Sequence, residues 1–305
     1  YQRTTKDMIG PAEAIPDIGG IAVDQRAKVN NATLRNRGWE LSVNWSDQLK
    51  NGFSYGIGFN IFDYKAVVTK YNNPEGLIYN NHTGLVRNKG YYQGMDLGEI
   101  WGYEANDLFL TNQEVDEYLR EVDMSFFKPN KDWQRGDLKY IDSNGDGKID
   151  PDSGTLKDHG DLKIIGNTTP RYSFGLNLHA GYKGFEVSAL FQGVMKRDFP
   201  MAASTYLFSG DSNFFKEHLD YYNVYNPGAY LPRLTKPDSP EYNANVGYNT
   251  SRYLLNAAYM RLKNLMISYN FQPKLVKKMG LENLKVYFTC DNLFTIDNLP
   301  DVFDP

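Results

Sequence analysis

Apolar and polar residues alternate singly along unusually long stretches of this chain. Between Arg171 and Tyr182 one set of positions reads Tyr172, Phe174, Leu176, Leu178, Ala180, Tyr182, and the other reads Arg171, Ser173, Gly175, Asn177, His179, Gly181. A β-strand points successive side chains to opposite faces, so the pattern predicts one apolar face and one wet face. Lys183-Gly184 then turns the chain into Phe185, Val187, Ala189, Phe191 against Glu186, Ser188, Leu190, Gln192, which predicts a hairpin. The same alternation carries Trp39, Leu41, Val43 and Trp45 through Asn51-Gly52 into Phe53, Tyr55, Ile57, Phe59 and Ile61, and recurs over 265–271 and 286–290. With residues 1–9 included, the pattern predicts about seven long strands.

The connections between these strands are unequal. Those at 46–53, 182–185 and 272–284 are short, whereas 10–31, 70–170 and 196–251 are long. Long and short alternate, as they do when one end of a sheet faces the periplasm and the other the cell exterior. A strand of about 9–11 residues crosses a bilayer. Trp39, Phe53, Tyr182, Phe185 and Phe271 sit near predicted strand ends, where amphipathic rings anchor at membrane interfaces. The expectation is therefore all-β: a transmembrane antiparallel β-barrel segment with long extracellular loops. A soluble β-sandwich, with the aromatic face as its core, is the alternative. Strand parity puts the strand-like stretch 97–107 inside a large folded loop spanning 70–170, with a short helix near 113–122.

Composition narrows the function. The single cysteine, Cys290, excludes an internal disulfide and a Cys-based zinc site. The net charge is -4 with both signs interspersed, and the absence of a Lys/Arg block argues against nucleic acid as a partner. No apolar run is long enough for a transmembrane helix, which leaves a barrel open. His82, His159, His179 and His218 are scattered, and no nucleophile elbow, phosphate-cradling Gly loop or metalloprotease helix is present, so no enzyme is expected. The chain opens at Tyr1 without an initiator Met or signal peptide and is expected to be a fragment.

One loop carries candidate chemistry. Asp142, Asn144, Asp146 and Asp150 occupy positions 1, 3, 5 and 9 of an EF-hand-type spacing, with Gly147 at 6 and Ile149 at 8. Alternating oxygen ligands wrap a hard cation such as calcium, and the glycine permits the sharp turn. Position 12 is Ser153, so the usual bidentate Glu is missing there; Asp152, Asp158 or Asp161 could complete the set after a short insertion. The alternative is an Asx-rich turn that needs no metal. In the long loops, Tyr221, Tyr222, Tyr225 and Tyr79 are candidates for stacking on a ligand or partner, or are ordinary loop surface.

These residues resemble a family. Gly136-Asp137-Leu138-Lys139-Tyr140-Ile141-Asp142 running into Asn144-Gly145-Asp146-Gly147, then Ile164-Ile165-Gly166-Asn167-Thr168-Thr169-Pro170, Tyr182-Lys183-Gly184-Phe185 and Phe191-Gln192-Gly193, is similar to SusC/RagA-type TonB-linked outer-membrane transporters. Arg252-Tyr253-Leu254, Ala258-Tyr259-Met260-Arg261-Leu262-Lys263-Asn264-Leu265, Asp291-Asn292-Leu293-Phe294-Thr295 and, upstream, Arg35-Asn36-Arg37-Gly38-Trp39-Glu40-Leu41 extend the resemblance over nearly the whole chain.

The resemblance implies a plugged barrel of about 22 strands, of which this chain would supply the penultimate strand and the six before it. The plug, the TonB-contacting segment and a closing strand after Phe303-Asp304-Pro305 would then lie elsewhere. It also implies a last cation ligand at Asp161, although the insertion over 153–160 departs from the family's spacing. The implied function is TonB-dependent import of a large nutrient, an oligosaccharide or peptide, across the Gram-negative outer membrane, with a SusD-like surface lipoprotein as partner. The alternatives are a lidless siderophore or cobalamin receptor and a soluble calcium-dependent carbohydrate-binding sandwich.

Overall fold

The structure, a computed structural model, describes residues 1–11, 28–74, 76–78, 91–201, 216–236 and 239–305. Its strands in chain order begin with β1 (Gln2–Pro11), β2 (Lys28–Gln48) and β3 (Ser54–Lys70). Short strands β4 (Glu99–Gly102) and β5 (Ala105–Leu108) follow, then helix α1 (Asn112–Tyr118), β6 (Leu138–Tyr140) and β7 (Lys163–Asn167). A long hairpin, β8 (Arg171–Tyr182) and β9 (Phe185–Lys196), leads to β10 (Asp198–Pro200). The remainder comprises α2 (Pro240–Val246), β11 (Leu254–Asn256), β12 (Tyr259–Asn270), α3 (Pro273–Lys278) and β13 (Lys285–Asp297).

Seven long strands form one antiparallel sheet in the order β1-β2-β3-β8-β9-β12-β13, so β1 and β13 are its edges. Register keeps like with like. Ile57 faces Leu178, Phe59 faces Leu176 and Ile61 faces Phe174, while Gly58 faces Asn177 and Asn60 faces Gly175 on the other side. Trp39, Leu41, Val43 and Trp45 leave 46–61 % of their surface exposed, as a face made for an apolar solvent would. Phe53 against Tyr182, and Phe185 against Tyr269, bring aromatic rings together at the short-turn end of that face. The polar face is lined with small residues for a steric reason: a Cβ on Gly56 would lie 1.9 Å from the His179 ring.

Most of the buried apolar residues lie beyond the sheet, in the long loops, with Val68 of β3 joining them from the sheet. Tyr103, Phe109, Met124, Leu138, Tyr140, Ile149 and Leu162 from 91–167, with Leu231, Tyr242, Val246 and Tyr253 from the later loop, form one cluster. Two-stranded pairs β4–β7, β5–β6 and β10–β11 frame it. The Tyr103 amide donates to Asn249 O at 2.9 Å, the Leu138 amide to Asn245 Oδ1 at 2.7 Å, and the Tyr140 hydroxyl to Ala244 O at 2.6 Å. The two loops thus build a single cap at the long-loop end.

Two expectations change in detail. β1 and β2 pair as far as Pro11 and Lys28, so the strands reach into the connection expected at 10–31. Beyond Trp39 the positions on its face are Arg37 and Arg35, so the apolar rhythm stops there while the backbone ladder continues. The helix expected over 113–122 runs from Asn112 to Tyr118; Thr111 caps it by accepting from the Glu114 amide at 3.1 Å.

Candidate functional site

The acidic loop is tightly organised. Gly145 and Gly147 take φ of 78° and 81°, a left-handed backbone that glycine adopts without a Cβ clash. This lets the loop curl around Asp142, whose Oδ1 accepts from the Gly145 amide at 2.6 Å and whose Oδ2 accepts from the Gly147 amide at 2.9 Å. Asn144 accepts from the Asp146 amide at 3.1 Å, Asp146 from the Lys148 amide at 2.9 Å, and Asp150 from the Asp152 amide at 2.8 Å. Ile149, fully buried, pins the loop to the cap core, and its amide donates to Asp123 O at 2.9 Å.

Asp161 reaches this loop across the insertion. Its two carboxylate oxygens accept from the Ser143 amide at 2.6 Å and the Asp150 amide at 3.0 Å, strapping the start of the loop to its end. Burial pushes its carboxyl above the usual range and Asp142 adds to that, against the Ser143, Asp150 and Asn144 amides that lower it. Asp152 is raised as well, by burial and then by Asp150, Asp158 and Asp146. Asp158 instead accepts from the Ser153 hydroxyl.

The donor chemistry is all oxygen, which suits a hard cation. The arrangement is that of nested Asx turns, with carboxylates spent on backbone N–H groups. Among the described residues no three His, Cys, Asp or Glu side chains converge into a group that could hold a metal.

The candidate tyrosines separate. Tyr222 is buried, its ring lies over Gly136 and its hydroxyl donates to Leu110 O at 2.8 Å. Tyr221 is half-buried and bridges Leu231. Tyr225 stands out at 95 % exposure on the turn between Asn223 and Asn226. Tyr79 lies outside the described residues.

Sequence reasoning passed over a second constellation. Asp137, fully buried, accepts from Lys128 Nζ at 2.7 Å, Arg233 Nε at 2.6 Å, Asn245 Nδ2 at 2.9 Å and the Gln134 amide at 2.9 Å. Lys128 is equally buried and packs over the Trp133 ring at 4.3 Å. Burial pulls its ammonium below the ordinary lysine range, and the Asp137 charge opposes that pull. Four segments meet at this one carboxylate, but their separation along the chain hid it. On the polar face of the sheet, near the short turns, Glu186 accepts from Lys285 Nζ at 2.8 Å, Asn270 Nδ2 at 3.0 Å and Ser268 Oγ at 3.2 Å.

A TonB-dependent receptor from Formosa agariphila, P3, is 25% identical to this chain over 303 residues, 98% of the chain. The chain resembles TonB-dependent receptors over nearly its whole length. A second such receptor of that organism, P39, is 26% identical over 337 residues. The chain spans only 28% and 30% of the lengths of these two relatives. Among solved structures, the RagAB peptide transporter superposes with a TM-score of 0.63 at 19% identity, covering 97% of this chain and 29% of that one. The RagAB peptide importer in its open-open state gives 0.65 at 18% identity, covering 98% and 28%. That likeness shows the fold. No family model matches the chain.

Proposed function

We propose that this chain is the C-terminal barrel portion of a TonB-dependent outer-membrane importer, which carries a large nutrient, an oligosaccharide or peptide, together with a SusD-like surface lipoprotein. The observation that carries the reading is the sheet's two-sided register: a continuous exposed apolar face backed by a polar face, with every long connection at one end. In lipid such a sheet must close so that no backbone edge is left unpaired, and strands beyond β1 and β13 would complete it. The resemblance to TonB-dependent receptors and the RagAB fold likeness support the transport class and the lipoprotein partner. The transporter makes and breaks no covalent bond.

Within this reading the acidic loop is a site for a structural cation, calcium or a similar ion, which would draw Asp142, Asn144, Asp146, Asp150 and Asp161 inward from the backbone amides they now accept from. Its support is the oxygen-only donor set and the placement of Asp161 against the loop backbone. Tyr225 and Tyr221 offer rings to substrate or lipoprotein at the cap surface.

The test is extraction of the full-length parent from its native membrane in mild detergent, followed by mass spectrometry of what co-purifies. A stoichiometric surface lipoprotein is the expected result. A parent recovered alone would point to a lidless receptor, and one recovered in the soluble fraction would overturn the barrel reading.

A further inference from the structure

The long-loop end of the apolar face carries cations that transport leaves unused. The β2–β3 register runs without a shift from Leu34 to Gln48, so Arg35 and Arg37 lie on the same face as Trp39, Leu41, Val43 and Trp45, just beyond the outermost Trp. Across the ladder, Lys65 faces Arg37 and Val67 faces Arg35. Directly opposed residues on one face hold their Cβ atoms about 4.5–5.5 Å apart, so Arg37 and Lys65 are like charges side by side.

Their neutralisation is incomplete. Lys65 pairs with Asp96 at 2.6 Å. Arg37 Nε donates to the uncharged Gln2 Oε1 at 2.5 Å, and among the described residues no carboxylate pairs with Arg35 or Arg37. One row nearer the apolar belt the situation is the opposite: Asp63, opposite Trp39, is buried and held by both Nε and a terminal nitrogen of Arg171 at 2.6 Å. Along this face the chain therefore passes from apolar side chains, through one neutralised pair at the tryptophan level, to cations with charge to spare.

In a membrane that sequence of environments is acyl chain, interface and headgroup, with Trp39 marking the boundary. Guanidinium forks beside an ammonium match the oxygens of a phosphate monoester. We propose that Arg35, Arg37 and Lys65 together bind a phosphate of an outer-leaflet lipid headgroup on the outer wall of the barrel. This rests on the outer-membrane reading given above.

The experiment uses the full-length parent in phosphatidylcholine nanodiscs doped with bisphosphorylated or dephosphorylated lipid A, with retained lipid read by native mass spectrometry. The parent should retain the bisphosphorylated form selectively. Each cation near a charged lipid surface is worth roughly a factor of five, so R35Q/R37Q/K65Q should weaken retention about a hundredfold. R3Q should leave it unchanged, because Arg3 pairs with Asn36, on the opposite face. Heat-modifiable migration on a gel reports folding of each variant; if the triple variant does not fold, R35Q and R37Q alone should each show roughly the fivefold loss. Equal retention by the parent and its folded variants would overturn this site while leaving the barrel intact. Displacement of the lipid by equimolar inorganic phosphate would overturn it in favour of a soluble-anion site. A parent that does not embed in the nanodisc would overturn the barrel reading and this proposal with it.

Discussion

Replacing Asp137 by Asn tests whether one carboxylate holds the cap together. The substitution keeps the shape but removes the charge that Lys128 and Arg233 share. Arg233 retains some solvent contact, whereas the Lys128 side chain has none, so the damage concentrates on the lysine. Removing one partner of a buried ion pair costs about 3–5 kcal/mol. A second route gives the same scale: the stranded lysine can escape by losing its proton, and from a reference near 10.4 that costs about 5 kcal/mol at pH 7. Hydrogen exchange of the Leu138 and Tyr103 amides in the full-length protein reads the effect. At the tenfold-per-1.4 kcal/mol conversion, D137N should speed exchange by about two to four orders of magnitude.

The pH dependence has a fixed sign. Lys128 has a folded-state pKa below its ordinary 10.5, so the unfolded chain binds more protons, and cap stability rises with pH between the two values. D137N removes the charge opposing that depression, so its cap should recover as the pH is raised toward 10.5. K128M/D137N should restore most of the protection at pH 7. An acceleration under about tenfold for D137N, or a double variant no better than the single one, would refute the argument.

Two further substitutions test the faces of the sheet. L41R places a cation in the middle of the apolar face and should destabilise the folded barrel by about 2–4 kcal/mol, while S42R, on the polar face, should cost under about 1 kcal/mol. Equal folded fractions in a denaturant series would mean that the faces are wrongly assigned. For the acidic loop, calcium at about a hundred times its Kd should stabilise the cap by about 2.7 kcal/mol, an effect that D161N should abolish. Because protons compete for the same carboxylates, the calcium effect should weaken as the pH falls. A thermal midpoint indifferent to millimolar calcium would leave the loop as Asx turns alone.

The long strands were legible because each side chain's environment follows directly from its parity: Phe174 and Asn177 announce their faces without knowledge of any distant contact. Their outer ends were not, since Arg35 and Arg37 face the same way as Trp39 yet break the apolar rhythm by which strands are recognised. The acidic loop was visible as a spacing, and its strap Asp161 as one of three candidates, because the relevant geometry is local. Asp137 was invisible as a hub: Arg233 and Asn245 lie 96 and 108 residues away, and no local pattern reports a bond of that range. Tyr222 shows the same limit from the other side. Its neighbours Tyr221 and Tyr225 look equivalent in sequence, but only Tyr222 meets a residue without a side chain, Gly136, that lets its ring sink into the core.

The stitching of the cap also ties its assembly to the hairpin that lies between its halves. The Leu138–Asn245 and Tyr140–Ala244 bonds span 107 and 104 residues, and the β8–β9 hairpin lies between the partners in the chain. Closing so long a loop adds little entropy cost, since each doubling of length costs only about 0.6 kcal/mol, and a β8–β9 hairpin already formed lowers that cost further by bringing its own two ends together. The first half of the cap therefore gains its partners most readily once β9 is laid beside β8, and until the later loop arrives Tyr140 lacks its acceptor at Ala244. The residues that arrive after the hairpin then act as a latch, and a sheet whose hairpin has slipped in register has nothing for the latch to catch.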